Sequence, residues 1–183
     1  MIQILLQTNG EYTPTQLAQK AIDAGCQWLI LPDAPINEEA KGIIDLCREA
    51  GVILTIENNV EACREFGLHG VLLHLGANPA AVRAEIGAEA VIGAEITSVA
   101  SATALSKADI DYFLISTDDA SIIGEARKAG VEVHFVANLT DRAATRADVD
   151  KAMSLGFSGA CISSAKFSGD DIAADISALI PQS

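Results

Sequence analysis

The chain has 183 residues, half of them hydrophobic, enough to bury one full-sized core. Its formal charge of −13 at pH 7 and pI near 4.4 argue against nucleic acid or an anionic membrane surface as partner. They also weigh against a highly phosphorylated substrate unless a metal or a local basic pocket intervenes.

The first strand is expected over residues 2–8, because MIQILLQTNG turns polar after six residues and lacks the basic residues of a secretory leader. Thr13-Pro14 supplies an N-cap and a first-turn proline for a helix to about Ala24, closed by Gly25. Trp28–Pro32 is a continuous apolar run, too short for a helix and suited to a strand buried on both faces. Asn37-Glu38-Glu39 caps and charges a helix running to Ala50 and ended by Gly51. The same grammar continues with strands at 52–56, 70–75, 90–94, 112–116, 131–136 and 159–163. Helices follow them at about 59–66, 79–87, 100–107 and 119–129, then one ending near Leu155 and a last one at about 170–179 before Pro181.

Strict alternation of eight strands and eight helices implies parallel strands joined by crossover helices: an α/β protein, a compact (β/α)8 TIM barrel forming one domain over 1–183. A doubly wound open sheet fits less well, since neither GxGxxG nor GxxxxGK[ST] occurs. No run approaches the roughly 18 consecutive apolar residues of a membrane span, and a cytoplasmic location is expected. Cys26, Cys47, Cys63 and Cys161 show no CxxC spacing and read as free, buried thiols. Cys161 lies on the last strand, where a catalytic thiol would have a place.

Strand residues alternate sides, and the outer side of a barrel strand is apolar because it meets helices. Polar residues in the strands therefore face the lumen or the upper rim. These are Gln3, Gln7, Thr55, Glu57, His74, Glu95, His134, Asn138 and Ser163, with Asp33 at the end of strand two and His134 deeper than the rest. Asp33, Glu57, His74 and Glu95 could hold a divalent cation, could transfer protons as a Glu–His or Glu–Glu pair, or could be solvated rim residues. Ser163, Ser164 and Lys166, after strand eight, are the best anion-binding candidates, at a position where many barrels bind phosphate; a capped helix start is the plainer reading.

The stretch DLCREAGVILTIENNVEACREFGLHGVLLHLG, followed by VRAEIGAEAVIGAEITS and IDYFLIST, resembles the thiamine phosphate synthase and TenI family of barrels. The resemblance covers most of the chain and is clearest from Asp45 to Ser116. It implies an Mg²⁺-dependent transferase joining a pyrimidine pyrophosphate to a thiazole phosphate. Several of that family's motifs are altered here. Its basic pyrophosphate-binding motif on strand two is replaced by Leu29 to Asp33, with no base. Its metal-binding aspartates correspond to Asn58 and to the Ala77-Asn78 pair, and its serine after strand five to Glu95. Its lysine-bearing loop after strand six has become Thr117-Asp118-Asp119-Ala120. The last strand's serine remains at Ser163 or Ser164, whereas the TenI histidine near strand five has no counterpart in Ile96-Thr97-Ser98.

The expectation is a divergent family member that binds or transforms a small thiamin-precursor-like heterocycle at the C-terminal mouth and lacks normal synthase activity. Glu57, His74 and Glu95 are its catalytic candidates; Asp33, Asn58, His134, Asn138, Ser163, Ser164 and Lys166 are its substrate-binding candidates. The cofactor stays open, a divalent metal being unsupported by the family's aspartates. The partner expected is a small molecule, not nucleic acid or membrane, and a homodimer is allowed. A genuine Mg²⁺-dependent synthase and a non-catalytic ligand-binding or regulatory barrel are the alternatives.

Overall fold

The computed structural model describes residues 1–181. Among them, eight parallel strands pair in chain order and β8 returns to β1, closing a barrel. The strands are β1 Ile2–Leu5, β2 Trp28–Leu31, β3 Ile53–Glu57, β4 Gly70–Leu73, β5 Val91–Glu95, β6 Tyr112–Ser116, β7 His134–Asn138 and β8 Gly159–Ser163. The helices between and after them are α1 Pro14–Asp23, α2 Glu38–Ala50, α3 Val60–Glu65, α4 Pro79–Ile86, α5 Val99–Leu105, α6 Ser121–Lys128, α7 Arg146–Ser154 and α8 Ile172–Leu179. The (β/α)8 barrel expected from the alternation is the fold observed. No helix among the described residues is long and apolar enough to cross a membrane.

Local chemistry explains the helix starts. Thr13 caps α1 with a reciprocal pair of bonds to Gln16, and Pro14 supplies the first turn. Asn37 caps α2, whose first turn carries Glu38 and Glu39 against the helix dipole. Gly51 ends α2 in the left-handed conformation that a side chain would oppose, with φ of 68°.

Two apolar layers follow from the period-2 alternation. Outward strand residues such as Ile4, Leu29, Val71, Phe113 and Ile162 join the helices in the main core. Inward residues Leu5, Trp28, Ile30, Leu72, Tyr112, Leu114, Val136 and Cys161 fill the lumen. The barrel is thus a packed core, with room for chemistry only where its strands end. Trp28 and Tyr112, the first residues of β2 and β6, meet edge to face at the N-terminal end of the lumen, ring centroids 5.6 Å apart. The Tyr112 ring takes the space in front of Gly93, where a Cβ would stand 2.1 Å from the phenol carbon.

Several strand boundaries differ from the sequence reading: β1 stops at Leu5 and β4 at Leu73, short of the expected 8 and 75, and β7 starts late. Val131 does not start β7; its N–H closes the end of α6 by donating to the Ala126 carbonyl. Pairing with β6 therefore begins at His134, opposite Tyr112, and runs to Asn138, opposite Ser116.

Candidate active site

Three neighbouring strands bring the polar ends together. Glu57 is the last residue of β3, His74 follows β4 directly, and Glu95 is the last residue of β5. Registers of Glu57 with Leu72 and Leu72 with Gly93 bring the two carboxylates to either side of the histidine. His74 Nδ1 lies 2.9 Å from Glu95 Oε2, and Nε2 lies 3.3 Å from Glu57 Oε1. The imidazole side chain is 39% exposed, against 26% for Glu95 and 12% for Glu57, so the ring is the most accessible member.

Both ring nitrogens face carboxylate oxygens. A neutral imidazole donates from one nitrogen only, so the other contact needs a second proton, on the ring or on a carboxyl group. The group therefore holds two protons and a net charge of −1 when both contacts are satisfied. Burial raises the Glu57 carboxyl above its ordinary value; the nearby charges of Glu95 and Asp33 add to this, while the Asp33 N–H and His74 oppose it. For His74, burial disfavours the charged ring, but the hydrogen bond and charge of Glu95, with the charges of Glu57 and Asp33, outweigh it and raise its pKa. A carboxyl raised and a histidine raised beside it are groups prepared to exchange a proton.

Asp33 and Asn58 complete the cluster. The Asp33 N–H donates to Glu57 Oε2 at 3.2 Å, and Asn58 Nδ2 donates to Asp33 Oδ2 at 3.2 Å. Asn58 Oδ1 accepts the His74 backbone N–H at 2.9 Å.

The other substrate-binding candidates are not gathered there. His134 is the clearest correction: as the first residue of β7 it sits exposed at the opposite, N-terminal rim, a ring nitrogen 3.2 Å from Ser158 Oγ. The late start of β7 put it there. Asn138 turns its side chain into its own loop, accepting from the backbone N–H and hydroxyl of Thr140. Ser163 donates to Gln7 Oε1 at 2.7 Å; Ser164 Oγ accepts from the Gln7 N–H and donates to the Gln7 carbonyl. Both serines are buried and committed to the β1 end. Lys166 is exposed and lines a surface cavity of about 410 Å³ with Thr145, Arg146 and Phe167. Sequence reasoning placed Gln7 near the rim but missed that it occupies the serines. Its position opposite strand eight in a closed barrel was the available signal.

Cys161 lies in the lumen, and burial, reinforced by the charges of Glu57 and Glu95, pushes its thiol up to about 12. A thiolate nucleophile is disfavoured there. All four cysteines are buried and free.

The metal implied by the family resemblance does not fit these residues. Asn58 and Asn78 present amides where carboxylates would be needed, and Asn78 is used as the cap of α4. Among the described residues, no group of three or more His, Cys, Asp or Glu is arranged to hold a metal ion.

Residues 4–141 match the family model described as thiamine monophosphate synthase. The chain belongs to the thiamine monophosphate synthase family. A thiamine-phosphate synthase from Bacteroides thetaiotaomicron is 24% identical over 199 aligned positions, covering 95% of this chain and 93% of that protein. Counterparts from Azorhizobium caulinodans, 36% identical over 80 residues, and Phocaeicola vulgatus, 29% identical over 119, match 42% and 61% of this chain. Those matches span only 37% and 56% of the two relatives' length. Among solved structures, a thiamine phosphate pyrophosphorylase from Pyrococcus furiosus superposes with a TM-score of 0.79 at 17% identity, over 97% of this chain and 92% of that one. The orotidine 5′-phosphate decarboxylase of Pyrococcus horikoshii superposes at 0.75 with 15% identity, covering 98% and 97%. These likenesses establish the barrel, whereas the family assignment stands on the sequence match.

Proposed function

We propose that this thiamine monophosphate synthase family barrel binds a small, uncharged or cationic thiamin-precursor-like heterocycle at its C-terminal mouth and transfers a proton on it. The observation that carries the reading is the His74 ring held between Glu57 and Glu95. His74, the most exposed of the three, donates a ring proton to the ligand. The ring is left as the neutral imidazole with its second proton, Glu57 and Glu95 both being carboxylates, and the vacated nitrogen regains a proton from solvent or from one the ligand gives up. Leu75, 60% exposed beside His74, offers an apolar surface to a flat ring.

The charge pattern sets the ligand class. Asp33, Glu57 and Glu95 place three carboxylates around one imidazole, and the serines that would receive a phosphate are bonded to Gln7. A pyrophosphate would meet like charge at short range in a partly buried site, where repulsion is least screened. Normal synthase turnover is therefore not expected.

A thermal-shift screen with unphosphorylated pyrimidine and thiazole thiamin precursors, their phosphates and divalent cations tests the ligand class, since binding to the native state raises apparent stability. Shifts by the unphosphorylated heterocycles are expected; shifts confined to the phosphates would refute it. Glu57→Ala or Glu95→Ala should abolish turnover while retaining ligand binding; binding without any wild-type turnover would favour a non-catalytic barrel. Family membership itself supports a second reading, a genuine synthase. Turnover of pyrimidine pyrophosphate with thiazole phosphate and Mg²⁺ would establish that one instead.

A further inference from the structure

The mouth contains a residue whose backbone and side chain do separate jobs. Asn58 follows β3 with φ of 53°, in the left-handed region that side chains generally avoid. Its backbone N–H still donates to the Leu72 carbonyl at 2.9 Å, as a further rung between β3 and β4. The main chain then leaves the sheet towards α3, whose cap is Asn59. The side chain does not leave. Its Oδ1 accepts the His74 N–H at 2.9 Å, and its Nδ2 donates to Asp33 Oδ2 at 3.2 Å.

We propose that Asn58 is a positioning residue whose amide replaces the missing backbone rung, tying the β2 and β4 ends to β3 so that the His74 ring stands between Glu57 and Glu95. The need for this brace follows from geometry. His74 lies one residue beyond β4, so the ladder no longer fixes its backbone. A ring that must keep two contacts, at 2.9 and 3.3 Å, tolerates little movement of its Cα. The asparagine amide accepts from a backbone N–H and donates to a carboxylate through two separate atoms of one short side chain; aspartate would lose the donor and glycine both contacts. Asparagine enters the left-handed region more readily than most side chains, and here it also supplies the two contacts that glycine would lack. At the position where the family resemblance places a metal-binding aspartate, the side chain orients a histidine. This role also replaces the direct substrate contact suggested by sequence.

The proposal rests on the proton-transfer reading for its use, but its test is independent of turnover. The charged groups facing His74 are Glu57 from β3, Glu95 from β5 and Asp33 from the β2–α2 loop. The His74 imidazole is titrated by NMR in the full-length wild type, Asn58→Gly and Asn58→Ala. Glycine relieves the backbone and alanine does not, while both remove the brace. The His74 midpoint should fall by about one pH unit in both, the low end of what losing close opposite charges does. Asn58→Gly should be the more stable of the two. A folded Asn58→Gly or Asn58→Ala with the wild-type midpoint would overturn the proposal. If neither folds, hydrogen exchange in the wild type decides: a His74 backbone N–H protected as strongly as the β4 amides supports the brace, and one that exchanges as freely as loop amides refutes it. Where wild-type turnover is measurable, Asn58→Gly should lower kcat with little change in KM. If the wild type has no turnover, the catalytic reading fails while the titration still decides the role of Asn58.

Discussion

His74 links the site to the stability of the fold. Its pKa is raised from an ordinary value of 6.5 in the folded chain, so the folded state binds the proton more tightly than the unfolded one. The stabilisation is fully present below pH 6.5 and is lost as pH rises through the higher folded value. Glu57 acts in the same direction from its ordinary 4.5 upward. Urea unfolding of the wild type should therefore show stability declining above neutrality, and His74→Gln should flatten that decline. Tyr112 lies at the other extreme of polar satisfaction. Its hydroxyl is buried with no hydrogen-bond partner among the described residues, as are both amide atoms of Gln3. The Gln3 amide is near enough to lower the phenol pKa slightly against burial, without forming a hydrogen bond of proper geometry. Removing an unpaired buried hydroxyl also removes its desolvation cost, so Tyr112→Phe should raise unfolding free energy by about 1 kcal/mol in urea titrations.

At the scale of elements, β5 and β6 show how a small residue on one strand lets its neighbour fill the lumen. Gly93 pairs with Tyr112, and the phenol ring lies across it towards Trp28. Gly93→Ala would put a Cβ 2.1 Å from the ring, leaving no relief without moving Tyr112. Overpacking of this kind should cost about 2–3 kcal/mol, and combining Gly93→Ala with Tyr112→Val should recover most of it. A double-mutant cycle in urea checks this: additive effects would show that the ring and the glycine are independent. The element pattern was largely legible in the sequence. Thr13-Pro14 and Asn37-Glu38-Glu39 marked the starts of α1 and α2 through groups that act within one turn of chain. The start of β7 was not legible, because Val131-Glu132-Val133 has strand-like composition while its first N–H is taken by Ala126. That error put His134 inside the lumen, whereas it stands exposed at the N-terminal rim.

Across the whole molecule, the charge of −13 sets both solubility and a cost. Mutual repulsion among surface carboxylates opposes compaction and is screened by salt. Moving from low to moderate ionic strength with a simple salt should raise Tm, and an unchanged or lowered Tm would mean that the chain's few cationic pairs, such as Arg146–Asp150, dominate.

The fold, the cap positions and the division of strand residues into lumen and helix faces were set by the sequence alone. Apolar runs of period 2 and caps of one turn are short-range patterns written along the chain. Glu57, His74 and Glu95 were also visible as polar ends on consecutive strands. Only the tertiary structure decided that the three side chains meet within hydrogen-bond distance, that Asn58 bonds to both Asp33 and the His74 N–H, and that Gln7 occupies Ser163 and Ser164. Those contacts join residues from 16 to 157 positions apart. Their existence depends on strand register, the exact ends of the strands and side-chain rotamers, which packing around the closed barrel determines and no local pattern encodes.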